Sequence, residues 1–200
     1  MTLDRLRPLA DRALAPFVAL ARRLGLTPNG VSVLALAVAV AAGVVFAVAP
    51  PRLYVVAALC VAANGWLDLV DGALARELGT SSAGGDLLDH VVDRYADIAL
   101  IVGIAAGIDR YGLGLAAVTG VLMTSYLGTQ VQAVGLGREY GGLLGRADRL
   151  ALVGVAAVVT AAVPRPLGPL TALGWLLVVL AVVGHLTALQ RFLGAWRDLE

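Results

Sequence analysis

Asp68 and Asp71 stand three residues apart, and Asp89 and Asp93 four apart, in a chain otherwise dominated by apolar side chains. A helix turns by ~100° per residue, so either spacing puts both carboxylates of a pair on one helical face. The stretch between the pairs, residues 77–84, is short and rich in Gly and Ser. It makes the two helices antiparallel neighbours, with four carboxylates converging at one end. Such groups facing each other in a low-dielectric setting repel strongly unless a cation lies between them. An all-oxygen donor set with no cysteine nearby selects a hard divalent ion, Mg²⁺, Mn²⁺ or Ca²⁺. His90 is the one neighbouring imidazole and falls on a different face from Asp89 and Asp93. That position suits packing or support of a ligand better than ligation.

Gly72 and Ala75 follow the first acidic pair, and Arg76 sits one turn beyond Gly72. Small residues at this spacing let another group approach the backbone closely. The planar Arg76 guanidinium suits phosphate. Metal-holding carboxylates, an arginine and a backbone gap together read as a diphosphate site. The plainer alternative is helix packing with charges reaching towards the interface. Acids at this density are costly in a membrane and point to function instead.

The elements that must position these residues are membrane helices. Of the 200 residues 60% are hydrophobic and 14% charged, with a mean hydropathy of +0.87. Soluble domains are about a quarter charged. The balance of 15 basic and 14 acidic residues gives no reason to expect nucleic acid as a partner. Cys60 is the only cysteine, which excludes a disulfide framework and suits a small buried hydrophobe. Crossing ~30 Å of hydrocarbon takes about 20 residues. Six segments qualify, residues 31–49, 53–75, 86–108, 113–135, 149–163 and 167–191, divided by turn chemistry such as Pro50-Pro51 and Pro164-Arg165-Pro166. Residues 1–26 carry apolar side chains at roughly helical spacing among five arginines, which predicts an amphipathic helix lying on the membrane. The expected fold is all-α: a polytopic membrane protein with six transmembrane helices over 30–191 and an N-terminal juxtamembrane helix, forming one domain over 1–200. Arg5 to Arg23, Arg76, Arg138, Arg146, Arg149, Arg191 and Arg197 fall on one side and only Arg52, Arg110 and Arg165 on the other. The positive-inside bias puts both termini and the acidic cluster on the cytoplasmic side.

The spacing D-x2-D-G-x2-A-R-x8-G-x3-D-x3-D is filled at Asp68, Asp71, Gly72, Ala75, Arg76, Gly85, Asp89 and Asp93. It resembles the signature of the CDP-alcohol phosphotransferases, the CDP-alcohol phosphatidyltransferase family, and six transmembrane helices behind a juxtamembrane helix resemble that family too. The resemblance implies transfer of a phosphatidyl or archaetidyl group from a CDP-linked lipid to the hydroxyl of a small polar alcohol, releasing CMP. It implies Asp68, Asp71 and Asp89 as ligands of Mg²⁺ or Mn²⁺, two ions in all, with Asp93 both a ligand and the general base. It implies Gly72, Ala75, Arg76, Ser82 and Gly85 around the CDP group, and a homodimer. Asn29 and Ser32, within TPNGVS, resemble a family element near the nucleotide, although Pro28-Asn29 is equally a helix-start signal.

The acceptor region departs from the pattern. Residues 125–150 resemble the corresponding stretch of members that use inositol phosphate, which carry basic residues two and four positions after the Tyr. Here those positions are Gly128 and Gln130, while a later G-R-x-x-R survives as Arg146 and Arg149. Arg146, Arg149 and Arg138 are thus the candidates to hold an acceptor phosphate, or else loop charge of the positive-inside kind. The expected acceptor is a phosphorylated alcohol such as glycerol phosphate or inositol phosphate, with an unphosphorylated alcohol as the alternative. A divalent-cation-coupled transporter would also put acids in a bundle, but needs a matching set across the membrane. Asp86 is expected to cap a helix start, Asp97 to pair with Arg94 or another buried polar group, and His185 to be structural.

Overall fold

The computed structural model describes residues 7–137 and 144–200. They form seven α-helices: α1 (Arg7–Arg23), α2 (Pro28–Val48), α3 (Tyr54–Leu78), α4 (Ala83–Gly107), α5 (Tyr111–Ala133), α6 (Arg146–Ala162) and α7 (Ala172–Leu199). A 3-10 turn over Pro51–Leu53 joins α2 to α3.

The boundaries follow local chemistry. The Thr27 hydroxyl accepts from the Gly30 amide at 3.1 Å, and Pro28 at the first helical position gives up no donor that α2 would use. Gly79, at φ +63°, closes α3, and the Gly79 and Thr80 amides cover the Arg76 and Ala75 carbonyls. A side chain there would strain that left-handed turn. Ser82 caps α4 by accepting from the Gly85 amide at 3.1 Å. Asp86 is therefore not the cap; it sits in the first turn, where its charge favours the positive helix end. The last helix starts later than residue 167. The Leu167 amide donates to the Leu170 carbonyl at 2.7 Å around Gly168 at φ +75°, and Thr171 then caps α7.

Helix α2 packs along both α3 and α4, α5 along α7, and α6 against α3 and α7, while α1 lies on α3. Glycines set the closest crossings. A methyl at Gly103 of α4 would overlap the Gly43 backbone of α2, and one at Gly184 of α7 would crowd Gly120 of α5. The core between them holds Phe46, Tyr54, Leu100, Ile104, Leu173 and Leu177. Cys60 is only half-buried against it. Helix α1 buries Leu14, Val18 and Ala21 against Val70 and Leu74, and Phe17 meets Trp66 edge-on at 5.2 Å.

Four helical stretches are long and apolar enough to cross a bilayer: Pro28–Val48, Pro51–Leu78, Tyr111–Ala133 and Ala172–Leu199. Their outward faces are apolar as well, with Val33, Leu34, Val40 and Val44 exposed on α2. Helices apolar all round belong in lipid, so the chain is an integral membrane protein. Helices α4 and α6, expected as spans from hydropathy, are not in that set: acids crowd the first half of α4, and α6 has 17 residues.

Candidate active site

The C-terminal part of α3 and the first turns of α4 bring Asp68, Asp71 and Asp89 together, with one oxygen of each within 4.8 Å of the others. Ligand oxygens around one hard divalent ion stand up to ~5 Å apart, so the three carboxylates fit such an ion. Asp71 is buried, and the Ser32 hydroxyl of α2 donates to its Oδ2 at 2.6 Å. Asp93 lies one turn further along α4, and its company is cationic. Arg146 Nη2 is 2.8 Å from Asp93 Oδ1, and Arg94 Nη2 is 3.5 Å from Oδ2.

A cleft of about 410 Å³ opens between the start of α2, the end of α3 and the start of α4. All seven residues expected around the donor line it: Asn29, Ser32, Gly72, Ala75, Arg76, Ser82 and Gly85, together with Asp71 and Asp89. A Cβ at Gly72 would stand 3.3 Å from the Arg76 guanidinium, and one at Gly85 would stand 3.4 Å from Ser82 Oγ and 3.7 Å from Asn29 Oδ1. The glycines keep that space open. Ser82 also serves as a helix cap, a structural duty alongside any contact with a ligand.

Beyond the carboxylates lies an arginine cluster. Arg146 Nη1 is 2.7 Å from Asp68 Oδ1, and Arg146 Nη2 also reaches the buried Asn64 Oδ1 at 3.5 Å. Arg149, itself buried, donates to Asp97 Oδ2 at 2.8 Å, with Arg94 Nε 3.9 Å from the same oxygen. Asp97 thus has both expected kinds of partner, and the shorter contact comes from α6. Asp93 Oδ1 gains charge from Arg146 but no aligned hydrogen bond. The Nε atoms of Arg94, Arg146 and Arg149 are likewise buried without a hydrogen-bond partner among the described residues. Buried donors left over in this way ask for an acceptor. Arg138 lies outside the described residues. Gly128 is buried in α5 and Gln130 is exposed, so neither position adds a cation.

Sequence reasoning missed Asn64. Its amide donates to the Ala35 carbonyl of α2 at 2.9 Å, tying α2 to the carboxylate-bearing face of α3. The signal was a polar residue one turn before Asp68 in an apolar run. His185 Nε2 stands 3.5 Å from the Thr119 hydroxyl on the α5–α7 seam, away from the carboxylates.

Residues 25–183 match the family model described as CDP-alcohol phosphatidyltransferase. An archaetidylinositol phosphate synthase from Methanothermobacter thermautotrophicus is 30% identical, with 99% of this chain and 96% of the relative covered. A phosphatidylinositol phosphate synthase from Streptomyces avermitilis is 33% identical over 76% of this chain and 64% of its own length. Among solved structures, the Mycobacterium tuberculosis phosphatidylinositol phosphate synthase with CDP-DAG bound superposes with a TM-score of 0.78 at 30% identity, over 92% of this chain and 94% of that one. The same enzyme in complex with manganese and citrate also gives 0.78 at 30% identity, over 92% of this chain and 88% of that one.

Proposed function

The chain belongs to the CDP-alcohol phosphatidyltransferase family, and from that premise we propose that it transfers a phosphatidyl-type group from a CDP-linked lipid to a hydroxyl of inositol phosphate. The observation that carries this reading is Arg146, which touches Asp68 and Asp93 and so joins the carboxylate cleft to the arginine cluster. Donor diphosphate and acceptor phosphate would then meet across Asp93. The acceptor oxygen forms a bond to the lipid-bearing phosphorus, the bond from that phosphorus to CMP breaks, and Asp93 takes the hydroxyl proton. Arg76 and the open backbone at Gly72 and Gly85 would receive the CDP diphosphate. Asp68, Asp71 and Asp89, joined by Asp93, would hold Mg²⁺ or Mn²⁺; the metal, when bound, supplies charge neutralisation at the diphosphate and the departing CMP. Arg146, Arg149 and Arg94 would hold the acceptor phosphate in place of the cations absent at positions 128 and 130.

Six crossings complete the proposal. Helix α4 is ~37 Å long and α6 ~25 Å at 1.5 Å per residue, and each packs between helices apolar enough to span. Helix α1 would lie in the headgroup layer, with Leu20 on it and Leu24 just past its end turned from the core. The arginine asymmetry supports cytoplasmic termini and a cytoplasmic active site. The test is CMP release from CDP-diacylglycerol by purified protein with Mn²⁺, using inositol phosphate, glycerol phosphate and inositol in parallel. Inositol phosphate is expected to be the preferred acceptor. Equal or better rates with unphosphorylated inositol would overturn the phosphate-binding role of the arginines, and preference for glycerol phosphate would replace the acceptor.

A further inference from the structure

We propose that Asp97 is a positioning residue for the acceptor: it holds Arg149 in the place and orientation in which that guanidinium receives the acceptor's phosphate. The inference rests on the acceptor role given to Arg149 above. Asp97 lies two helical turns beyond Asp89 and one beyond Asp93, outside the group of carboxylates that fit a metal. It is 4% exposed. Its Oδ2 accepts from Arg149 Nη2 at 2.8 Å, across the gap between α4 and α6, and lies 3.9 Å from Arg94 Nε. These helices otherwise share little packing: α6 rests on α3 and α7, and α4 on α2 and α5. The carboxylate therefore supplies a link between them that apolar packing does not.

The pairing is one-sided in a useful way. Among the described residues one Nη is engaged, by Asp97, and the buried Arg149 Nε has no hydrogen-bond partner. Because the guanidinium is planar and rigid, fixing one nitrogen restricts the direction of the others. One carboxylate also faces two arginines, so it keeps their mutual repulsion down without filling all their donors. A buried ion pair is a poor device for stability alone, since apolar residues of similar volume often do as well.

Asp97→Asn keeps the size and removes the charge, while Asp97→Glu keeps the charge and moves it by one methylene. Initial rates are measured with inositol phosphate varied at saturating CDP-diacylglycerol, and then the reverse. Asp97→Asn is expected to raise the inositol phosphate KM about 10- to 100-fold, the loss typical of a hydrogen bond between charged groups, and leave the donor KM within about twofold. Asp97→Glu is expected to recover part of that loss. A residue needed only for folding would lower the amount of active enzyme without separating the two KM values. If Asp97→Asn does not accumulate, Asp97→Glu decides by the same split. An unchanged acceptor KM, or parallel change in both KM values, overturns the inference. Arg149→Ala run alongside separates two failures. If it raises the acceptor KM and neither Asp97 variant does, only the positioning role falls; if it leaves that KM unmoved, the acceptor reading falls and the inference with it.

Discussion

Arg146 Nη2 of α6 lies 2.8 Å from Asp93 Oδ1 of α4, so the carboxylate assigned to take the acceptor's proton touches a guanidinium assigned to the acceptor's phosphate. The same guanidinium reaches Asp68 at 2.7 Å, where it meets a carboxylate assigned to the metal. One cation is thereby in contact with both halves of the reaction. Under these proposed roles a metal would compete with Arg146 for Asp68, and an acceptor phosphate would compete with Asp93 for Arg146.

That competition gives opposite signs to two effects of one substitution. Arg146→Ala removes a positive charge from the carboxylate group, so Mn²⁺ should bind the lipid-free protein about fivefold more tightly, the scale of a partly exposed ion pair. The same change should raise the inositol phosphate KM. Mn²⁺ titration followed by electron paramagnetic resonance reads the first, and initial rates read the second. Weaker Mn²⁺ binding in the variant would show that Arg146 supports the metal site.

Asp93→Asn separates a proton acceptor from a ligand. Asp68, Asp71 and Asp89 come within reach of one ion without Asp93, so Mn²⁺ should still bind to the variant. Loss of a general base lowers kcat by about 10²- to 10⁴-fold. Single-turnover CMP release, measured beside Mn²⁺ titration, gives both values. Comparable losses in binding and rate would make Asp93 chiefly a ligand.

Ser32 holds Asp71 through a 2.6 Å hydrogen bond. Ser32→Ala leaves a buried carboxylate with one donor fewer, and bonds to charged groups contribute about 1.5–3 kcal/mol. Mn²⁺ affinity should fall about tenfold, and Ser32→Thr should restore most of it. Chelation of the metal should abolish CMP release in wild type and variants alike, and added Mn²⁺ should return it.

The donor half of this site was legible in the chain because it is local. Asp68 to Asp93 is a single helix–turn–helix, and 3.6-residue periodicity on either side of a short Gly- and Ser-rich link is enough to bring its side chains together, although the caps themselves, Gly79 and Ser82 in place of the expected Asp86, came only with the structure. The acceptor half is not local. Asp93 and Arg146 are joined by the way α6 settles on α3, and hydropathy does not specify that rotation. Asp97 was readable as a buried charge in need of a partner, yet Arg149 came from 52 residues away. The start of α7 was hidden for a different reason. Leu167 and Leu170 are as apolar as the helix that follows, and only the left-handed Gly168 and the Thr171 cap mark the turn.

The crossing of α2 and α4 makes the last prediction. A Cβ at Gly103 would overlap the Gly43 carbonyl, and backbone cannot swing aside as a flexible side chain does. Gly103→Ala should therefore push α2 away from α4 and cost about 1–3 kcal/mol, the usual range for an overpacked core. The midpoint of thermal unfolding in detergent should fall. The functional consequence follows from what α2 carries: Asn29 would withdraw from Gly85 of α4 at the mouth of the cleft. The donor KM should rise as a result, with the acceptor KM less affected because Arg146 and Arg149 ride on α6. Gly154→Ala in α6, where an added Cβ meets nothing within 4 Å, is the matched control. It gains helix propensity of about 1 kcal/mol and should leave stability equal or higher. A Gly103 variant as stable as the Gly154 variant would mean that the helices do not cross this closely in the membrane.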